Sequence, residues 1–143
     1  MALPCLVAGL ALIGCASGRA GAAGSGTGYG ASSAESAVAE FLEGVGRRDY
    51  PAMARLFGTR EGPAERRWGR VETEQRMFVL AGLLSYRSYR LRPLPVGEDG
   101  GRARWIADMA GTRRGDVSVP FIVAPHRGRW FVERIVTESL AGS

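Results

Sequence analysis

Apolar positions follow three regimes along the chain: an unbroken run at the start, a helical period from residue 38 to 84, and strict alternation beyond 86. Val38, Phe41, Leu42 and Val45 repeat at i, i+3, i+4 and i+7, one buried face of a helix. Ser32 and Glu35 precede it at capping-box spacing, and Gly44 and Gly46 weaken its end. Asp49 before Tyr50-Pro51 opens a second, short helix with Met53, Leu56 and Phe57 turned inward, and Gly58 stops it. Residues 59–63 read as a loop and residues 64–68 as one helical turn. A third helix is predicted over 72–84, opened by Glu72 or Thr73. Its stripe is Met77, Leu80, Ala81 and Leu84, and Phe78 and Leu83 widen it, which predicts burial on more than one side.

From Ser85 the period changes to two, and four strands are predicted. The first covers 86–93 and is followed by a turn at 97–101, Gly-Glu-Asp-Gly-Gly. In the second, Ala103, Trp105, Ala107 and Met109 share a face, with Arg102, Arg104 and Asp108 on the other. After a turn at 111–115, the third strand groups Val117, Val119, Phe121 and Val123, and its Pro120 predicts an edge or bulge position. A tight turn at 126–129 leads to a last strand over 130–137. There Trp130, Val132 and Val136 are expected on one face, Phe131 and Ile135 on the other. Helices followed by a meander of strands make an α+β chain: three N-terminal helices packed on a curved four-stranded antiparallel sheet, a cone.

The opening run, residues 2–13, is apolar and uncharged. At about 12 residues it falls below the ~20 needed to cross a bilayer as a helix, and it suits the core of an export signal. It ends in Leu12-Ile13-Gly14-Cys15, which resembles the lipobox of bacterial lipoprotein signals. That resemblance implies cleavage before Cys15, acylation of its thiol and amine, and a protein anchored by lipid in the cell envelope, facing the periplasm. Two or three acyl chains anchor stably where one is marginal. Ala16 after the Cys resembles sorting to the outer membrane. No basic residue precedes the run, and only 14 residues precede Cys15, as a misassigned start codon would produce. The alternatives are a plain secretory signal cut near Ala20 or Ala22, or a short buried helix. Cys5 follows Pro4, matches no lipobox, and would leave with residues 1–14. Residues 15–33 are then the lipidated Cys and a Gly/Ala/Ser-rich linker, whose coil reach is roughly 20–25 Å. Residues 34–143 form the folded domain.

Composition adds less. The chain has 143 residues and 45% hydrophobic positions, which suit one globular domain. All 19 basic residues are Arg against 14 acids, for a net charge of +5. Paired arginines stand at 47–48, 66–67 and 113–114, but acids are interleaved and an exported protein seldom meets nucleic acid, so no nucleic-acid partner is expected. The basic balance reads as a solvated surface near an anionic envelope. With Cys15 lipidated and Cys5 removed no disulfide forms, and neither Cys has a His nearby, so no metal site is expected. No phosphate loop, dinucleotide fingerprint or serine elbow is present, so no cofactor is expected.

Two stretches carry a family resemblance. Residues 34–57, with Arg48-Asp49-Tyr50-Pro51 opening the second helix, resemble the start of nuclear transport factor 2-like (cystatin-like cone) domains. The closing Gly-Arg-Trp-Phe-Val-Glu-Arg-Ile of 128–135 resembles their last strand. The resemblance implies the cone fold over about 105 residues and leaves activity open, because that superfamily hosts isomerases, dehydratases, ligand carriers and inert lipoproteins.

Members with activity place a buried Asp, His or Tyr inside the cone. His126 lies in a His-Arg-Gly-Arg turn and is expected to be solvated at the rim. Asp108 is the best base candidate if its face lines the cone, with Tyr86 or Tyr89 as hydrogen-bond partners. Otherwise it is a surface carboxylate paired with Arg90 or Arg92. Trp105, Met109, Phe121 and Trp130, with Asp108, are the expected lining of a ligand cavity, and Trp68 is expected at the cone's open end or in an interface. Three readings follow. The first is a non-catalytic domain that binds a small apolar ligand or an envelope protein, tethered to the membrane through its lipid. The second is an isomerase- or dehydratase-like enzyme using Asp108. The third is a structural module whose sheet forms a homodimer.

Overall fold

The computed structural model describes residues 28–95 and 100–140. The apolar run, Cys5, Cys15, the linker up to residue 27 and the centre of the 97–101 turn lie outside the described residues. Helices α1 (Ala34–Arg47) and α2 (Tyr50–Leu56) lead into a small hairpin, β1 (Gly58–Thr59) and β2 (Gly62–Pro63). Helix α3 (Glu65–Trp68) and helix α4 (Arg70–Leu83) follow. Then come β3 (Ser88–Pro93), β4 (Ala103–Thr112), β5 (Gly115–His126) and β6 (Arg129–Ile135), a four-stranded antiparallel sheet in chain order. The α+β class and the meander therefore stand. The expectation of three helices does not: among the described residues four helical segments precede the sheet, because the turn after Ala64 closes into α3.

Local chemistry sets the boundaries. Helix α1 is capped by Ser33, not Ser32: the Ser36 amide donates to the Ser33 hydroxyl at 3.0 Å. The Ala52 amide donates to Asp49 at 3.0 Å and so caps α2. Gly44 has a positive role that helix propensity hides. A Cβ there would lie 2.7 Å from Met53 Cγ, so its absence lets α2 close onto α1. Between β5 and β6, Arg127 and Gly128 both have positive φ, 48° and 75°, as a two-residue type I′ turn requires.

Helix α1 lies across β4, β5 and β6 and buries Val38, Phe41, Leu42 and Val45. Phe41 is at the centre, 6.3 Å from both Phe57 and Phe121 between ring centroids. Tyr89, Leu91, Trp105, Ala107, Met109, Val119, Phe121 and Val123 supply the sheet's inner face.

The structure corrects three strand expectations. Pro120 sits in an interior strand. It needs no donor, because its carbonyl already faces the end of β6 and accepts from the Val136 amide at 2.9 Å. In antiparallel pairing a residue's N–H and C=O point to the same neighbour, so no bond to β4 is lost. Second, a bulge falls at Glu133, opposite the Ile122–Val123 step. It shifts the alternation, so Trp130, Val132 and Ile135 pack on the inner core together, and Phe131 turns to the other side. Third, the fold begins earlier than residue 34. Ala31 pairs with Trp130 and is 1% exposed, so the end of the stretch read as linker belongs to the domain.

Helix α4 departs most from its pattern. Met77, Ala81, Leu84 and the single buried polar residue among those described, Thr73, face inward. Phe78 and Leu83, expected inside, are 61% and 46% exposed, and Val71 and Val79 are exposed as well. Among the described residues the helix packs chiefly on α2, with smaller contacts to α3 and α1.

Candidate functional site

The space between the helices and the sheet at Met109 and Phe121 is packed. Both side chains are fully buried in one core cluster with Phe41, Met53 and Met77, and the Phe41 and Phe121 rings meet edge to face. Trp105 and Trp130 are half-buried at the edges of that core. Neither of the two cavities described below is lined by Trp105, Met109, Phe121, Trp130 or Asp108.

Asp108 stands on the outer face of the sheet, away from the helices. Arg92 Nε donates to Oδ2 at 2.8 Å and the Ser118 hydroxyl to Oδ1 at 2.5 Å. These hydrogen bonds hold the carboxyl below its ordinary pKa, the opposite of what a general base near neutrality needs. Tyr86 and Tyr89 point the other way, into the core, where the Tyr86 hydroxyl donates to the Leu42 carbonyl at 2.7 Å. Burial raises both phenols. The sequence-predicted partners of Asp108 are thus on the wrong side of the sheet, and the pairing with Arg92 is the arrangement present.

The larger cavity is elsewhere, a recess of about 820 Å³ beneath the β1–β2 hairpin. Glycine shapes the hairpin that covers it, and a histidine outside its lining holds that hairpin in place. A Cβ on Gly58 would meet the Gly62 carbonyl oxygen at 2.5 Å and Phe131 Cδ1 at 2.9 Å, so only glycine lets the hairpin fold back over β6. The Glu61 amide donates to the Thr59 hydroxyl at 3.1 Å and closes the tip. His126, expected to be solvated, instead pins that tip: its Nδ1 is 2.7 Å from the Arg60 carbonyl and its ring packs edge-on against Phe131. Among the described residues Nε2 is the one buried side-chain polar atom without a partner.

Arg60, Arg66, Arg67 and Arg102 line the recess with Glu61 and Glu133. Arg102 grips Glu133 through Nε and Nη2 at 2.9–3.1 Å, the carboxylate that the β6 bulge re-aims. Arg60, Arg66 and Arg67 form no ion pair among the described residues. One wall is aromatic: Trp68 stacks on Phe57 with centroids 6.2 Å apart, and the Arg76 guanidinium lies 4.1 Å over the Trp68 ring. Three unmatched guanidiniums beside a flat apolar wall suit an anion that carries an aromatic or apolar part. Among the described residues no group of three His, Cys, Asp or Glu could hold a metal ion.

Sequence reasoning did not assemble this site. Its one visible signal was Arg66-Arg67-Trp68 in an irregular stretch between glycines and Pro63. Comparison with protein-family models, with curated proteins and with solved structures finds no match.

Proposed function

We propose that this chain is a membrane-tethered envelope lipoprotein, anchored through Cys15, whose α+β domain is a nuclear transport factor 2-like cone that binds without catalysing a reaction. The recess under the β1–β2 hairpin carries the binding half of this reading. It offers about 820 Å³, unmatched positive charge at Arg60, Arg66 and Arg67, and the Phe57–Trp68 wall. The ligand is therefore a small anion with an apolar part, taken at the hairpin and not inside the packed cone. Enzyme chemistry at Asp108 is the weaker reading, because that carboxylate is tied to Arg92 and Ser118 on the outer sheet face.

Two measurements test the proposal. Mass spectrometry of the native N-terminus is expected to find acylated Cys15, and an unmodified Met1 would refute the tether. Anilinonaphthalene sulfonate, an aromatic anion, is expected to gain fluorescence on the protein and to lose affinity at least tenfold with Arg66→Gln and Arg67→Gln together, each charge-assisted contact contributing about 1.5–3 kcal/mol. Unchanged affinity in that double variant would refute the site.

A further inference from the structure

We infer that the far end of α4, with the groove beside it, is a docking face for an anionic lipid surface. The groove, about 540 Å³, is lined by Val45, Tyr50, Phe78, Val79, Tyr86 and two arginines, Arg48 and Arg113, and no acidic residue lines it. Phe78 leans edge-on against Tyr50 at 5.4 Å yet leaves 61% of itself in solvent, beside the exposed Val79 and Leu83. Exposed apolar side chains clustered on one helix face mark an interaction surface.

Charge decides which partner. Arg48, Arg87, Arg113 and Arg114 stand at this end with no ion pair among the described residues. Of the three acids near them only Glu43 is matched by an ion pair, so four arginines stand against the two remaining carboxylates, Asp49 and Asp116. Glu43 pairs with Arg47 at 3.1 Å, Asp49 caps α2, and Asp116 accepts the Gly111 amide at 3.1 Å. Along α4 itself, Glu72 and Glu74 are matched by Arg76 and Arg70. An apolar patch ringed by an excess of guanidiniums complements a surface of anionic headgroups over acyl chains, each arginine near such a surface contributing about 1 kcal/mol. A second copy of this chain would instead bring the same positive end against itself.

The geometry accommodates the tether. The chain enters at Ala31 beside Trp130, at the start of α1, and the groove lies at the other end of that helix, about 21 Å away. Read from composition as a coil, residues 16–29 would reach roughly 19–22 Å, which matches that distance. The membrane location is taken from the proposed function; the face itself is argued from the residues at this end.

The test uses the full chain on vesicles doped with a photoactivatable phosphatidylglycerol or phosphatidylcholine, and maps the adducts by tryptic peptides. The expected result is labelling of peptide 77–87 on phosphatidylglycerol and several-fold less on phosphatidylcholine. Arg48→Gln and Arg113→Gln should each lower it roughly fivefold, about 1 kcal/mol per charge. Phe78→Asp with Val79→Asp should abolish it. Equal labelling by both lipids, or adducts confined to the N-terminal segment, would overturn the inference. So would a dimer in light scattering that the Phe78/Val79 variant dissolves, which would give the face to a second copy. Cys15→Ser separates the two claims: loss of stable membrane retention with phosphatidylglycerol-selective labelling intact supports the docking face, and unmodified native Cys15 with that labelling intact refutes the anchor alone.

Discussion

Gly44 shows how a single position can reverse a propensity argument. In an isolated helix Gly→Ala gains about 1 kcal/mol. Here the new methyl would stand 2.7 Å from Met53 Cγ, inside a fully buried contact. Gly44→Ala is therefore expected to lower stability by about 1–3 kcal/mol through overpacking, read as a lower urea midpoint with unchanged slope. The tyrosines provide a second residue-level prediction. Burial raises Tyr86 and Tyr89, so the folded state holds their protons more tightly than the unfolded state does. Their contribution is complete below the ordinary tyrosine pKa of about 10 and is lost as pH rises through the higher folded values. The chain has no Lys to share that range. The denaturation midpoint should fall above pH 10, and Tyr86→Phe with Tyr89→Phe should flatten the fall. Asp108 behaves in the opposite sense. Its lowered pKa adds stability above about pH 4 that disappears on further acidification. Because the pair with Arg92 is on the surface, Asp108→Asn should shift Tm by less than about 4 °C at neutral pH and leave probe binding unchanged.

At the scale of elements, the alternation of strands β3 to β5 and the stripe of α1 were legible because each has one wet and one dry face. Val38, Phe41, Leu42 and Val45 lie inside as their spacing requires. Two elements were not legible, for different reasons. In β6 the bulge at Glu133 adds one residue, and a period of two gives no warning of a slip; Ile135 therefore changes face. In α4 the apolar positions run round the helix, which a pattern reads as burial on two sides. Exposure of Phe78 and Val79 depends on what packs there, and that is not encoded in the helix itself. The hairpin β1–β2 is similar, since two-residue strands carry no period at all. Its dependence on Gly58 is testable. Gly58→Ala places a methyl against backbone at the Gly62 carbonyl and should open the hairpin, weakening probe binding at the recess while the core helices persist in circular dichroism.

Across the whole molecule, the chemistry sits at two ends and leaves the middle closed. Phe41, Phe121 and their neighbours fill the space between helices and sheet, so Phe41→Ala should cost about 3–5 kcal/mol in thermal or urea unfolding. The arginine recess occupies the hairpin end, and the apolar groove occupies the end where α1 and α4 finish. Trp105, Met109, Phe121 and Trp130 were legible as core but not distinguishable, by spacing, from the lining of a hollow: a stripe of large apolar residues looks the same whether or not a helix plugs it. The recess was illegible for the converse reason. Its residues come from segments as distant as Arg60, Arg102 and Glu133, and only the hairpin's fold over β6 brings them together.

The decisive measurement is an amide chemical-shift map of the full chain titrated with anilinonaphthalene sulfonate. Shifts should concentrate at residues 58–68, at the Trp68 indole and at Arg102, and should weaken as salt is added. Shifts centred on Trp105, Met109, Phe121 and Asp108, indifferent to salt, would contradict a charged site at the hairpin and restore an apolar one between helices and sheet.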